Sequence, residues 1–290
     1  YVKDVFGLKT PLTREQHEAV SDSKRVIYEG FKQAVESGVN AADAGILVDE
    51  EFGADILRDA SERGTVIALS TEKSGSDEFE FEYGDAFAEH IEKFKPTFAK
   101  VLVRYNPEGD AALNERQTER LKQLYDYCRG AEQRLLFELL VPATKAQLAR
   151  VESDKHRYDR RIRPELMLRS MRALQDGGVE PDVWKIEGLS ERADCERIVE
   201  AAQRDGRSAV RCIVLGRGAD QKEVVKWLET AAAVPGFTGF AVGRTTFGDA
   251  ITDYVAKKAT RQQAAARIAE KFSNWVAIFE KARASQAQIA

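Results

Sequence analysis

The chain has 290 residues, 43% of them hydrophobic and 32% charged, with the two signs mixed along its length and a net charge of −4. That length is close to the roughly 250 residues of one α/β barrel, and the charge balance gives no electrostatic reason to expect a nucleic-acid partner. No apolar run approaches the ~20 residues that cross a bilayer, no secretory signal opens the chain, and Cys128, Cys195 and Cys212 show neither a disulfide framework nor metal-ligand spacing, so a cytoplasmic protein without a membrane partner is expected.

In chain order, the sequence starts at Tyr1 and runs into Phe6-Gly7-Leu8-Lys9 as if its true start lay upstream. Residues 13–37 predict a long helix with no strand ahead of it. Short β-rich runs follow at 44–49, 65–70, 98–105, 135–141, 182–189, 209–215 and 237–242. Helical periodicity fills segments between them, at 114–129, 164–176, 191–204 and 221–232. Residues 74–83 are polar and aromatic and predict a long loop after a strand, while 260–284 predict one or two closing helices on the outside. This alternation points to a parallel sheet of βαβ units, and the lack of a Pro/Gly/Ser-rich linker points to one domain over 1–290. The expected fold is α/β, a (β/α)8 TIM barrel whose first strand lies upstream of residue 1. An open doubly wound sheet is the alternative.

The informative residues are charges set inside apolar strands. Neighbouring side chains of a strand point to opposite faces. In Val183-Trp184-Lys185-Ile186-Glu187, Lys185 and Glu187 therefore oppose Trp184 and Ile186; Glu138 opposes Phe137 and Leu139; Lys100 and Arg104 oppose Ala99, Val101 and Val103. The apolar faces meet helices, so the charged faces look inward, where an unpaired charge is costly. One such pair is explained by a structural salt bridge, Lys185 with Glu138 or Glu187. Several converging from separate strands predict an active site at the C-terminal ends of the strands. An amine becomes nucleophilic when desolvation or a neighbouring cation lowers its pKa. Lys185 beside Lys100 thus predicts a Schiff base, with Glu138 placed to move a hydroxyl proton.

The runs Gly216-Arg217-Gly218 and Val242-Gly243-Arg244-Thr245 end two consecutive strands in glycine and arginine, the position where barrels commonly hold phosphate. His17, His90 and His156 are far apart in sequence and read as surface residues, so neither a metal nor a cofactor is expected.

Gly45-Ile46-Leu47-Val48-Asp49-Glu50, Lys100-Val101-Leu102-Val103-Arg104-Tyr105-Asn106-Pro107-Glu108-Gly109-Asp110, Phe137-Glu138-Leu139-Leu140-Val141-Pro142, Asp182-Val183-Trp184-Lys185-Ile186-Glu187-Gly188 and Val242-Gly243-Arg244-Thr245-Thr246-Phe247 together resemble one family over nearly the whole chain. It is the aldolase-like domain often fused behind 5-dehydro-2-deoxygluconokinase in bacterial myo-inositol catabolism; tagatose-bisphosphate and sulfofructose-phosphate aldolases are similar at a greater distance. The resemblance implies Lys185 as the Schiff-base lysine, Glu138 as acid/base and Lys100 as a neighbouring catalytic cation, with Gly216, Gly243 and Arg244 at the phosphate. The family's first-strand motif, Asp-His-Arg or Asp-Gln-Arg, and its kinase half have no counterpart here. The expected reaction is cleavage of 6-phospho-5-dehydro-2-deoxy-D-gluconate to dihydroxyacetone phosphate and malonate semialdehyde, with Arg104 at the substrate carboxylate and Asp49 at a hydroxyl. Rivals are another ketose phosphate, or a non-catalytic sugar-phosphate-binding barrel that regulates a partner kinase. A homo-oligomer and a functional link to a sugar kinase are both compatible with the resemblance.

Overall fold

A computed structural model describes residues 1–287. Two helices come first, α1 (Val2–Phe6) and α2 (Arg14–Glu36), and seven strands follow: β1 (Gly45–Val48), β2 (Val66–Ser70), β3 (Phe98–Arg104), β4 (Arg134–Leu140), β5 (Val183–Glu187), β6 (Arg211–Leu215) and β7 (Phe237–Ala241). Helices α3 (Glu50–Glu62), α4 (Phe87–Phe94) and α5 (Ala111–Gly130) follow the first three strands in turn. After β4 come α6 (Lys145–Ala149), α7 (Lys155–Arg161) and α8 (Arg163–Asp176); α9 (Arg192–Ala202) and α10 (Gln221–Ala232) follow β5 and β6. The chain continues past β7 with α11 (Arg244–Val255) and α12 (Arg261–Ala287). All seven expected strands are present, and the closing segment is one long helix after the short α11.

The starts of these helices are written in the sequence. Asp49, Asp110, Asp154 and Asp220 each accept backbone N–H bonds at the first turn of α3, α5, α7 and α10, which satisfies donors that a helix leaves unpaired. Thr13 and Gln16 form a reciprocal capping box that opens α2.

The strands are all parallel, in the order β1-β2-β3-β4-β5-β6-β7. They form a curled sheet whose edges are β1 and β7. Eight-strand closure is not seen among the described residues, and the two edges differ from the centre: Leu47 of β1 is 40% exposed, whereas residues 135–139 of β4 are all buried. The outward faces are apolar as alternation requires, with Val101, Phe137, Trp184 and Val214 buried in the main core.

Outside the sheet, helices span the distance between its two edges. Tyr28 of α2 belongs to the apolar cluster of Val48 and Ile67. Its ring stacks 6.1 Å from Phe31, which meets Phe272 of α12 at 5.9 Å. Phe272 in turn lies 6.3 Å from Phe240 of β7. The close approach of α2 to α12 needs Gly30, where a Cβ would fall 2.7 Å from Ile268. Arg261 adds ion pairs to Asp22 and Glu29, both at 2.7 Å.

A comparable close approach lies just beyond β5. A Cβ on Gly188 would sit 2.1 Å from the ring of buried Trp227, and the Gly188 carbonyl accepts from Arg163 NH2 at 2.9 Å. Gly188→Ala is therefore expected to destabilise the fold by about 1–3 kcal/mol through overpacking. Urea unfolding would read this as a lower midpoint at unchanged slope; an unchanged midpoint means that Trp227 yields at no cost.

Candidate active site

Strand register decides which charges meet. Glu138 of β4 is paired with Lys185 of β5, and with Leu102 of β3 on its other side. Lys100 is two residues before Leu102, on the same face one pleat lower, and shares its level with Ser70 of β2. The result is a compact cluster. Glu138 Oε2 lies 2.9 Å from Lys100 Nζ and 3.0 Å from Lys185 Nζ. All three residues are no more than 5% exposed. A second carboxylate, Glu72, accepts a hydrogen bond from Lys100.

The electrostatics of the two lysines diverge. Burial penalises the charge on Lys100, but Glu138 and Glu72 outweigh that penalty and push its pKa up. Burial lowers the pKa of Lys185; Glu138 works against this and the neighbouring Lys100 charge adds to it, and the net direction is down. Burial alone would raise Glu138, yet the two ammonium groups hold it at about 2. An amine that sheds its proton more readily than an ordinary lysine thus stands beside one that keeps it.

Glu187, on the same face as Lys185, is buried and fully engaged. Its Oε2 accepts from the Val141 amide at 2.9 Å, and its Oε1 lies 2.9 Å from Arg217 Nε. Arg217 also donates to Asp159 of α7 at 2.7 Å, and buried Arg163 lies 3.0 Å from the same carboxylate and 3.7 Å from Glu187. Arg217 adopts left-handed backbone, φ 52°, ahead of Gly218 at φ 69°. These ion pairs keep its side chain over the end of β5 despite the conformational cost.

The loops after β6 and β7 converge. Thr245 Oγ1 donates to the Ala219 carbonyl at 2.9 Å, and the Arg244 guanidinium packs over Gly218. Gly243 is the N-cap of α11. Gly216 is a packing glycine, since a Cβ there would meet Val242 at 2.9 Å.

Two expected substrate contacts have local partners. Asp49 Oδ1 caps α3 at the Phe52 amide, 2.9 Å away, and its other oxygen pairs with Lys24. Arg104 lies on the inner face at the rim, 35% exposed, and donates to the Ser76 carbonyl at 2.8 Å. His90 corrects the surface reading of the histidines. It is 5% exposed, with Nδ1 2.6 Å from Glu50 Oε2 and Nε2 3.3 Å from the Ser70 carbonyl; α4 folds it back on the end of β2. Among the described residues, no three His, Cys, Asp or Glu side chains are grouped to hold a metal ion.

Sequence reasoning missed Glu72, Asp159 and Arg163. Glu72 had a usable signal, because it continues the inward parity of Ser70 past the end of β2. Arg163 and Asp159 had none, since they come from helices that only the fold brings over the strands. Buried amides fix the rim around the cluster. Asn106 donates to the Pro142 carbonyl at 2.8 Å, Gln147 to Glu108 at 2.9 Å and Gln117 to the Arg104 carbonyl at 2.9 Å, while the Phe79 amide donates to Gln117 at 3.3 Å. The loops after β2, β3 and β4 are thereby tied together by hydrogen bonds between buried amides and backbone.

Comparison with solved structures places the fold. The fructose-bisphosphate aldolase of Plasmodium falciparum aligns at a TM-score of 0.57 and 14% identity, over 93% of this chain and 89% of its own. The YdjI aldolase of Escherichia coli K12 aligns at 0.54 and 10% identity, over 88% and 87%. Cgl0159 from Corynebacterium glutamicum aligns at 0.52 and 17% identity, over 84% and 76%. At such identities the likeness is one of fold. No curated protein matches the sequence. No helix among the described residues is long and apolar enough to cross a membrane. The family model described as "Uncharacterized protein conserved in bacteria (DUF2090)" matches residues 8–283, and the chain belongs to that family.

Proposed function

We propose that this protein is a Schiff-base aldolase that cleaves 6-phospho-5-dehydro-2-deoxy-D-gluconate into dihydroxyacetone phosphate and malonate semialdehyde. The observation that carries the proposal is the buried Lys185 amine, which shares one carboxylate with a second, firmly charged lysine. Neutral Lys185 adds to the C5 ketone to form a C–N bond. The carbonyl oxygen then leaves as water, and the nitrogen becomes a protonated imine. A base takes the C3 hydroxyl proton, the C3–C4 bond breaks and its electrons flow into the imine to give an enamine. Malonate semialdehyde departs; protonation at C4 and hydrolysis release the triose phosphate and regenerate the amine.

Glu138 serves the proton transfers, and its low pKa is conditional. Burial opposes its charge, and two ammonium partners overcome that. When Lys185 is neutral, at the moment of attack, one partner is gone and the carboxylate's proton affinity rises. Glu138 is then suited to deliver a proton to the departing hydroxyl and to accept one from the C3 hydroxyl later. Lys100 stays charged and steadies each oxyanion that forms.

Arg244, on the rim over Gly218, is the phosphate ligand in this reading, with Gly243 and the first amides of α11 beside it. Arg104 faces the acid end of the substrate. The direct test is release of dihydroxyacetone phosphate, followed by a coupled assay, from this substrate and from ketose bisphosphates; no turnover of any of them defeats the proposal. Arg244→Ala is expected to lower kcat/KM for the phosphorylated substrate by roughly 10–100-fold, the loss of a charge-assisted pair of hydrogen bonds. Its slow reaction with the dephosphorylated analogue changes little. Equal loss on both substrates assigns Arg244 to the fold and moves the phosphate towards Arg217.

A further inference from the structure

We infer that Glu72 is the positioning residue that selects Lys185 over Lys100 as the nucleophile, a role that rests on the Schiff-base reading above. Glu138 alone cannot distinguish the two amines. It lies 2.9 Å from one and 3.0 Å from the other, and their side chains are 4% and 7% exposed. The asymmetry comes from the second carboxylate, which touches Lys100 only. Glu72 Oε1 accepts from Lys100, and its Oε2 is buried with no hydrogen-bond partner among the described residues.

Two carboxylates and two amines form a linear chain, Glu72–Lys100–Glu138–Lys185. When this unit holds a single ammonium, the proton has two places to sit. On Lys100 it pairs both carboxylates at once. On Lys185 it pairs Glu138 and leaves Glu72 as a nearly buried anion against a neutral amine, which is strongly unfavourable. The single proton therefore stays on Lys100, and Lys185 carries the lone pair. The other neighbours of Lys185 do not disturb this order. Ile213 stands beside it on β6, and Glu187 is engaged with Arg217 and Val141. The directions of the two lysine shifts agree, up for Lys100 and down for Lys185.

Glu72 is held where this role needs it. Its backbone forms an antiparallel bridge with Phe81, flanked by Lys73 N–H to Glu80 O at 2.8 Å and Glu82 N–H to Thr71 O at 3.0 Å. Phe81 stacks on Phe87 at 4.2 Å, and Phe79 is buried beneath. A loop that is polar in sequence is thus a pinned hairpin that delivers one carboxylate to Lys100.

The test uses dihydroxyacetone phosphate with borohydride. The neutral amine adds to the ketone, water leaves, and hydride from borohydride reduces the imine carbon to a stable secondary amine. Peptide mass spectrometry then locates the tag. The unsubstituted protein is expected to carry it on Lys185 alone. In Glu72→Gln, which keeps the shape and removes the charge, the proton divides between the lysines: a measurable share of tag moves to Lys100, and trapping at Lys185 slows severalfold at neutral pH. Glu72→Asp keeps the charge and restores tagging at Lys185 alone. Tag confined to Lys185 in Glu72→Gln, at the unsubstituted rate, overturns this inference alone. No tag on either lysine in the unsubstituted protein overturns the Schiff-base reading and this inference with it. A measurement without any variant is lysine side-chain NMR titration of the native protein. Lys185 is expected to lose its proton at a pH where Lys100 keeps its own, and the reverse order overturns the assignment.

Discussion

Lys185→Met abolishes triose trapping and lowers cleavage by a factor on the order of 10⁶, the scale found when a covalent nucleophile is deleted. Methionine is unbranched and similar in length, so the inner face of β5 keeps its filling. Glu138 keeps Lys100 as a partner at 2.9 Å, and no buried anion is stranded. The variant is therefore expected to unfold within about 1 kcal/mol of the unsubstituted protein, which separates chemistry from stability. The pH dependence carries the same assignment. Only the neutral amine attacks, so trapping slows about tenfold per pH unit below the Lys185 pKa and levels off above it. Burial and the Lys100 charge place that break below the range of an ordinary lysine. Wild-type turnover retained in Lys185→Met, or a break at the ordinary lysine value, removes Lys185 from the chemistry.

Glu138→Gln produces the second large effect, with a different signature. Cleavage falls by roughly 10²–10⁴-fold, the usual contribution of a positioned acid or base. Imine formation at Lys185 survives at a reduced rate, because the amine is still there while the proton for the departing hydroxyl must come from water. Glu138 is the group that raises the Lys185 pKa against burial. Its neutralisation lets that pKa fall further, and trapping with borohydride extends to lower pH than in the unsubstituted protein. Rapid mixing resolves the two steps, with trapping retained and product release lost. A trapping profile displaced to higher pH contradicts the shared-carboxylate geometry, and unchanged cleavage makes Glu138 structural.

The fold was legible where a strand repeats a simple pattern. Val183-Trp184-Lys185-Ile186-Glu187 alternates so cleanly that both its strand state and the direction of Lys185 follow from period two. The same holds for Glu138 and Lys100, so the inward direction of all three charges follows from the sequence alone. Residues whose position depends on how separate segments dock were beyond that reach. Glu72 carried only the inward parity of Ser70; its contact with Lys100 is held by a bridge to Phe81, inside residues 74–83, whose polar and aromatic sequence suggested a loop. Arg217 was visible as a loop cation, but its partner Asp159 lies 58 positions earlier on α7. His90 read as a surface residue because the three histidines are far apart in sequence; α4 presses its buried face onto Glu50 and the end of β2. The register that puts Glu138 level with Lys185 and one pleat above Lys100 is likewise a property of the paired strands.

The open edge of the sheet has a mechanical consequence. Between the edge strands β1 and β7 the link runs through side chains, the aromatic series from Tyr28 through Phe31 and Phe272 to Phe240, where neighbouring strands elsewhere are joined by backbone hydrogen bonds. Side-chain contacts stretch more readily than a hydrogen-bonded ladder, so the compliance of the curled sheet is concentrated at its two edges. Strand β4 is the middle of seven, the position farthest from both edges. Flexing at the edges is therefore expected to leave the spacing of Glu138 and its two lysines unchanged. Amide hydrogen exchange should record the gradient as protection that rises from either edge towards β4.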